Sequence, residues 1–162
     1  MDKYINKIEN LHPIAFVLLF WLIIFIIPFI VGLIGAIASP FTSQMDSEIN
    51  YRYTFLVIVI APIVETYLFQ RLPIEFFKKR IKSVWIVILI SAALFGIAHM
   101  QSLFVILQSF VAGVVLAVAY LVYRKNHSIK EAFWVTAIIH SLKNLSTFIL
   151  LILLEGILRT LS

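Results

Sequence analysis

At 162 residues the chain is 62% hydrophobic and 13% charged, with a mean hydropathy of +1.05, far more apolar than the ~45–50% usual in soluble domains. This excludes a water-soluble enzyme and leaves length for about five spans of ~20 residues, with no separate soluble module. The net charge of +5 does not point to nucleic acid, because the basic residues lie between hydrophobic runs, where they set orientation and meet anionic lipid head groups; the absence of cysteine excludes disulfides, thiolate metal sites and a cysteine nucleophile.

In chain order, residues 1–13 mix charges with the apolar spacing Tyr4, Ile5, Ile8, Leu11, a pattern that suits a short interfacial helix. Pro13 stands where a helix can begin. The first apolar run, residues 14–38, is too long for a cleavable signal and reads as a retained span, with Gly32 and Gly35 as small residues for close helix approach. Residues 39–52 form the longest polar connection. A second span begins near Tyr53 and reaches at least Gln70, followed by the basic segment holding Lys78, Lys79, Arg80 and Lys82. The third span is expected over 83–99. The fourth is expected over 104–123, with the small residues Ala112, Gly113, Ala117 and Ala119. A polar loop over 124–130 then leads to the fifth span, 131–154, too short for two crossings. Pro28 and Pro62 fall inside spans and require neighbouring groups to satisfy the carbonyls they free.

The predicted fold is therefore an all-α, polytopic transmembrane helix bundle, one membrane domain over residues 1–162 with short interfacial helices, and no internal repeat. With a cytoplasmic N-terminus, ten Lys and Arg residues fall on the inside and only Arg52 and Arg159 outside. That asymmetry predicts a multi-pass protein of the cell membrane with its N-terminus in the cytoplasm.

Few strongly polar residues interrupt the spans: Glu65 and Gln70 on the second, His99 at the end of the third, and His140, Lys143 and Asn144 on the fifth. A charge near the bilayer centre costs ~2.5–3.5 kcal/mol even on lenient scales, so such groups tend to face a bundle interior and carry function. His140 and Asn144 are four residues apart and share one helical stripe, as do Ser91, Phe95 and His99. Three helices can thus aim one carboxylate, two imidazoles and a carboxamide at a common cavity. Those groups suffice for hydrolysis: a carboxyl group in apolar surroundings becomes basic enough to take a proton from water, and His or Asn donors can hold an oxyanion. Singly, each has a structural reading too, as a hydrogen-bonded carboxylate, an interfacial histidine or helix-to-helix glue. Lys143 is expected to snorkel or to line the cavity.

Glu65-Thr66-x-x-x-Gln70, then Phe95-x-x-x-His99, then His140-x-x-x-Asn144, in that order on successive apolar helices, resembles the three motifs of the CPBP intramembrane proteases. That family includes the type II CAAX prenyl endopeptidases and bacteriocin-immunity, Abi-type proteins. The likeness covers roughly residues 53–154 as a core and leaves residues 1–52, the interfacial segment, first span and polar loop, outside it. The resemblance implies an intramembrane endopeptidase acting on a peptide or membrane-protein substrate. Glu65 and His99 would activate water, and His140 and Asn144 would stabilise the oxyanion. The alternative is a non-catalytic immunity or adaptor protein that keeps the fold. The family's first motif reads Glu-Glu-x-x-x-Arg, so Thr66 and Gln70 replace an acidic and a basic residue one turn apart. Both charges are lost together, which predicts that a structural brace has been exchanged for a neutral one.

Other intramembrane hydrolases do not fit, since Asp2 and Asp46, the only aspartates, lie outside the spans, and neither a serine-nucleophile setting nor His-Glu-x-x-His occurs. Glu65, His99 and His140 would also make a two-histidine, one-carboxylate zinc set. That use would consume Glu65 as a ligand and leave no general base, so water activation without a metal is the expectation. A shared cavity also sets a geometric condition. If the second span ended near Gln70, Glu65 would lie only ~7.5 Å from one membrane face and His99 near the other. The second span must continue past Gln70, toward Phe77, or the third must start deeper or tilt.

Overall fold

The computed structural model describes residues 8–38 and 53–161. Among them the chain forms an all-α bundle whose five helices we number α1 (Pro13–Ala38), α2 (Leu56–Phe77), α3 (Val84–Ile97), α4 (Leu103–Asn126) and α5 (Ile129–Leu161). The interfacial helix expected over 1–13 and the connection expected over 39–52 lie, apart from residues 8–13, outside the described residues. Four helices are long and apolar enough to cross a membrane. The fifth, α3, has 14 residues and spans about 21 Å, less than the ~30 Å of a hydrocarbon core. It is a full member of the bundle but not the full-length crossing that the expected span over 83–99 implied.

The geometric condition is met by α2, which runs through Gln70 to Phe77. It does so by alternating register, with π-helical turns at Leu56–Ile60 and Thr66–Arg71 on either side of an α-helical turn at Ala61–Glu65. Two prolines accompany these wider turns. The Ala61 N–H reaches back five residues to the Leu56 carbonyl, and Pro62 has no N–H to offer, so the Val57 carbonyl is left without a backbone donor. The side chain of Asn144, on α5, supplies one at 3.0 Å. At the second π turn, Ser91 Oγ on α3 donates to the Phe69 carbonyl at 2.5 Å. On α1, Gln108 Nε2 donates to the Pro28 carbonyl at 3.0 Å. Gly32 makes room for it, because a Cβ there would lie 2.7 Å from the same nitrogen. At Val57 a neighbouring helix thus satisfies a carbonyl that lipid would leave unpaired.

Helix ends are set by local chemistry. Ser102 caps α4, its Oγ accepting from Val105 N at 3.2 Å. Ser128 and Glu131 form a reciprocal capping box at 3.2 and 2.8 Å. The polar loop expected over 124–130 is consequently reduced to His127 and Ser128, with α4 continuing to Asn126 and α5 starting at Ile129.

The small residues of α4 let helices approach closely: Ala112, Gly113, Ala117 and Ala119 are all buried. A Cβ on Gly113 would stand 3.0 Å from the Ala92 Cα of α3 and 3.2 Å from the Phe95 Cβ. Phe16, Phe20, Ile24, Ile74, Leu116 and Tyr120 fill the middle of the bundle, while Leu18, Leu22, Phe29, Trp85 and Ile138 are among the large apolar side chains left on the outside. At the Lys/Arg-rich end, Lys125 Nζ binds Glu9 at 2.5 Å. Glu75, at the foot of α2, meets Lys78 at 2.5 Å, Tyr120 Oη at 3.0 Å and Arg124 at 3.4 Å. These contacts tie the start of α1 and the end of α2 to the end of α4.

Candidate active site

Distances along the helices bring the expected residues to one level. Measured from the Lys/Arg-rich end at 1.5 Å per residue, Glu65 lies about 18 Å along α2, Phe95 about 16 Å along α3 and His140 about 16 Å along α5. Glu65, His99, His140, Lys143 and Asn144 line one cavity of about 340 Å³. Its remaining walls come from α1, through Ile24 and Pro28, and from the first half of α4.

His140 is buried, at 3% exposure, and both of its nitrogens face side chains of α2. Nε2 is 3.6 Å from Glu65 Oε2, and Nδ1 is 3.4 Å from Thr66 Oγ1. Consecutive residues on α2 thus address the two sides of a single imidazole. The Phe95 ring packs edge-on against His140, with centroids 5.5 Å apart, and lies 4.7 Å from the ring of His99. One aromatic side chain therefore spaces both imidazoles.

His99 stands just past the end of α3. There the backbone tightens, its N–H bonding to Gly96 O, and the Phe95 carbonyl accepts from the ring Nδ1 at 2.8 Å instead. A carbonyl can only accept, so Nδ1 carries the hydrogen, and in the neutral ring the lone pair belongs to Nε2. His99 and Lys143 both lie within electrostatic reach of the Glu65 carboxylate. Asn144 spends one amide hydrogen on Val57 O and accepts from Lys143 Nζ at 3.4 Å.

Thr66 and Gln70 behave differently from the expected brace. Both are fully buried, but the Thr66 hydroxyl is directed to His140 rather than to Gln70. Neither amide atom of Gln70 has a hydrogen-bond partner among the described residues. The two residues are therefore not the hydrogen-bonded pair that their spacing predicts.

Several contributors went unrecognised in the sequence. Gln101, Gln108 and Ser109 line the cavity, and Gln108 carried the same signal as Gln70, a carboxamide inside an apolar run. Glu75 gave a signal too, an acid beside the basic segment that follows α2. Lys143 lines the cavity, one of its two expected placements. Among the described residues there is no group of three His, Cys, Asp or Glu side chains placed to hold a metal ion.

No curated protein and no solved structure matches the chain. A family model does: that of type II CAAX prenyl endopeptidase Rce1-like proteins, over residues 48–146. The matched stretch takes in Glu65, His99, His140 and Asn144 and covers more than half of the sequence. The chain belongs to this Rce1-like family, within the CPBP group of membrane proteins.

Proposed function

We propose that the protein is an intramembrane endopeptidase of the cell membrane, with its Lys/Arg-rich end in the cytoplasm, that hydrolyses a peptide bond with water activated by Glu65 and His99. The observation that carries this reading is the gathering of a carboxylate, two imidazoles and a carboxamide from α2, α5 and the turn after α3 around one cavity in an apolar bundle. Membership of the Rce1-like family supports it.

In this mechanism a water molecule gives a proton to Glu65, and its oxygen attacks the carbonyl carbon. His99 Nε2, with Nδ1 held by Phe95 O, accepts a hydrogen bond from that water and shares the proton. The carbonyl oxygen becomes an oxyanion. With the Thr66 hydroxyl donating to His140 Nδ1, the Nε2–H of His140 and the second amide hydrogen of Asn144 are the donors available to it. The intermediate collapses by breaking the C–N bond, and the proton held by Glu65 passes to the leaving amine. Every proton is accounted for by the chain's own residues and water.

The test is cleavage by the purified protein of a panel of membrane-protein and peptide substrates. Glu65→Gln and His140→Ala are each expected to reduce the rate by ~10²–10⁴-fold. Undiminished cleavage by either variant refutes the assigned roles. A cellular phenotype untouched by Glu65→Gln would establish the adaptor alternative.

A further inference from the structure

We infer that the cavity takes its peptide from the membrane face opposite the Lys/Arg-rich loops, so that the substrate class is an extracytoplasmic segment or exported peptide rather than a cytosolic chain. The inference deepens the protease reading and rests on it for the word substrate, but its geometric part stands independently.

Every helix agrees on where the cavity lies. From the Lys/Arg-rich end, the first lining residue of α1, Ile24, is about 16 Å along, as is His140 on α5, and the α4 wall begins at Ala112, about 21 Å from Asn126. On α2 the wall runs from Glu65, about 18 Å from Phe77, outward to Val57 at about 30 Å. No lining residue falls nearer the basic end than these. The short α3 sharpens the asymmetry: it ends at the level of the site, and the turn that follows carries both His99 and Gln101. Gln101 lines the cavity and is exposed, which makes this turn its mouth.

Toward the basic end the way is filled. Thr66, Gln70, Ile74 and Tyr120 are fully buried, and below them the cluster of Glu75 with Lys78, Tyr120 and Arg124 joins α2 to α4. The same end bears Lys78, Lys79, Arg80 and Lys82 and also Arg124, Lys125 and Lys130, which the positive-inside rule places in the cytoplasm. A mouth at one end and the basic loops at the other therefore open the site outward.

The natural absence of cysteine allows a direct test. Gln101→Cys at the mouth, Ser109→Cys inside the cavity and Lys79→Cys on the basic segment are each introduced into the full chain. Intact cells are then treated with a charged, membrane-impermeant thiol reagent. Gln101→Cys is expected to be labelled before lysis, Ser109→Cys from the same side but more slowly, and Lys79→Cys only after permeabilisation. Labelling of Lys79→Cys in intact cells, or protection of Gln101→Cys until lysis, overturns the inference. Labelling reads orientation and access alone, so it is unaffected by whether Glu65→Gln abolishes cleavage, and the two proposals fail separately.

Discussion

Asn144 on α5 donates a hydrogen bond of 3.0 Å to the carbonyl of Val57 on α2, the carbonyl that Pro62 and the π turn leave without a backbone donor. The bond couples two motif-bearing helices through the backbone, and it holds the carboxamide beside the cavity. Asn144→Leu removes the donor and is expected to destabilise the protein by about 1–2 kcal/mol. The proline is part of the cause, so Pro62→Ala, which returns an N–H to α2, should shrink that loss. Reversible unfolding in mixed micelles across the double-mutant cycle measures the coupling. Additive effects would show that the Val57 carbonyl is satisfied in some other way.

The contact between Thr66 and His140 makes a separable prediction about positioning. Thr66→Val keeps the shape and removes the hydroxyl that faces Nδ1 at 3.4 Å, while Thr66→Ser keeps the hydroxyl. A neutral hydrogen bond of about 1 kcal/mol corresponds to a roughly fivefold effect. Cleavage by Thr66→Val is therefore expected to fall by that order in kcat with KM little changed, and Thr66→Ser should stay near the native rate. An equal loss in both variants would indicate packing at this buried position instead.

The three motifs were readable in the sequence because a bilayer makes polar side chains conspicuous: Glu65, His99, His140 and Asn144 stand out from apolar runs and all reach the cavity. Depth was harder to read. Whether Glu65 and His99 share a level depends on α2 continuing to Phe77 and on α3 stopping after 14 residues, and the prolines that accompany the register shifts do not by themselves fix where either helix ends. The partners of individual polar groups were hidden for the same reason. Gln108 reaches an α1 carbonyl 80 positions away in sequence, and Thr66 answers to His140 rather than to the residue four positions along its own helix.

Gly113 is expected to control the spacing of the two imidazoles from a distance. Valine there would drive into Ala92 and the Phe95 Cβ, and Phe95 packs against both His99 and His140. Overpacking of this kind typically costs 1–3 kcal/mol. Gly113→Val should thus lower thermal stability in detergent and reduce cleavage together. Gly156→Ala provides the contrast, since a Cβ there meets nothing within 4 Å. It should leave cleavage unchanged and stabilise α5 by up to ~1 kcal/mol through helix propensity.

Gln70 carries the last prediction. Its side chain is fully buried with neither amide atom partnered among the described residues, and a buried polar group in that condition is worth less than an apolar one of similar volume. Gln70→Met is accordingly expected to be neutral or to stabilise the protein by about 1 kcal/mol, whereas Gln70→Arg alone should lose ~3–5 kcal/mol by burying an unpaired charge. Adding Thr66→Glu tests whether the acidic and basic residues of the family's first motif can be accommodated here. If Thr66 stays committed to His140 in the fold and the two positions cannot pair, the double variant will be no more stable than Gln70→Arg. A recovery of 2 kcal/mol or more, a coupling of the size found for residues in contact, would show instead that an acid at 66 and a base at 70 can pair in this bundle. Unfolding of the four proteins under one set of conditions distinguishes these outcomes.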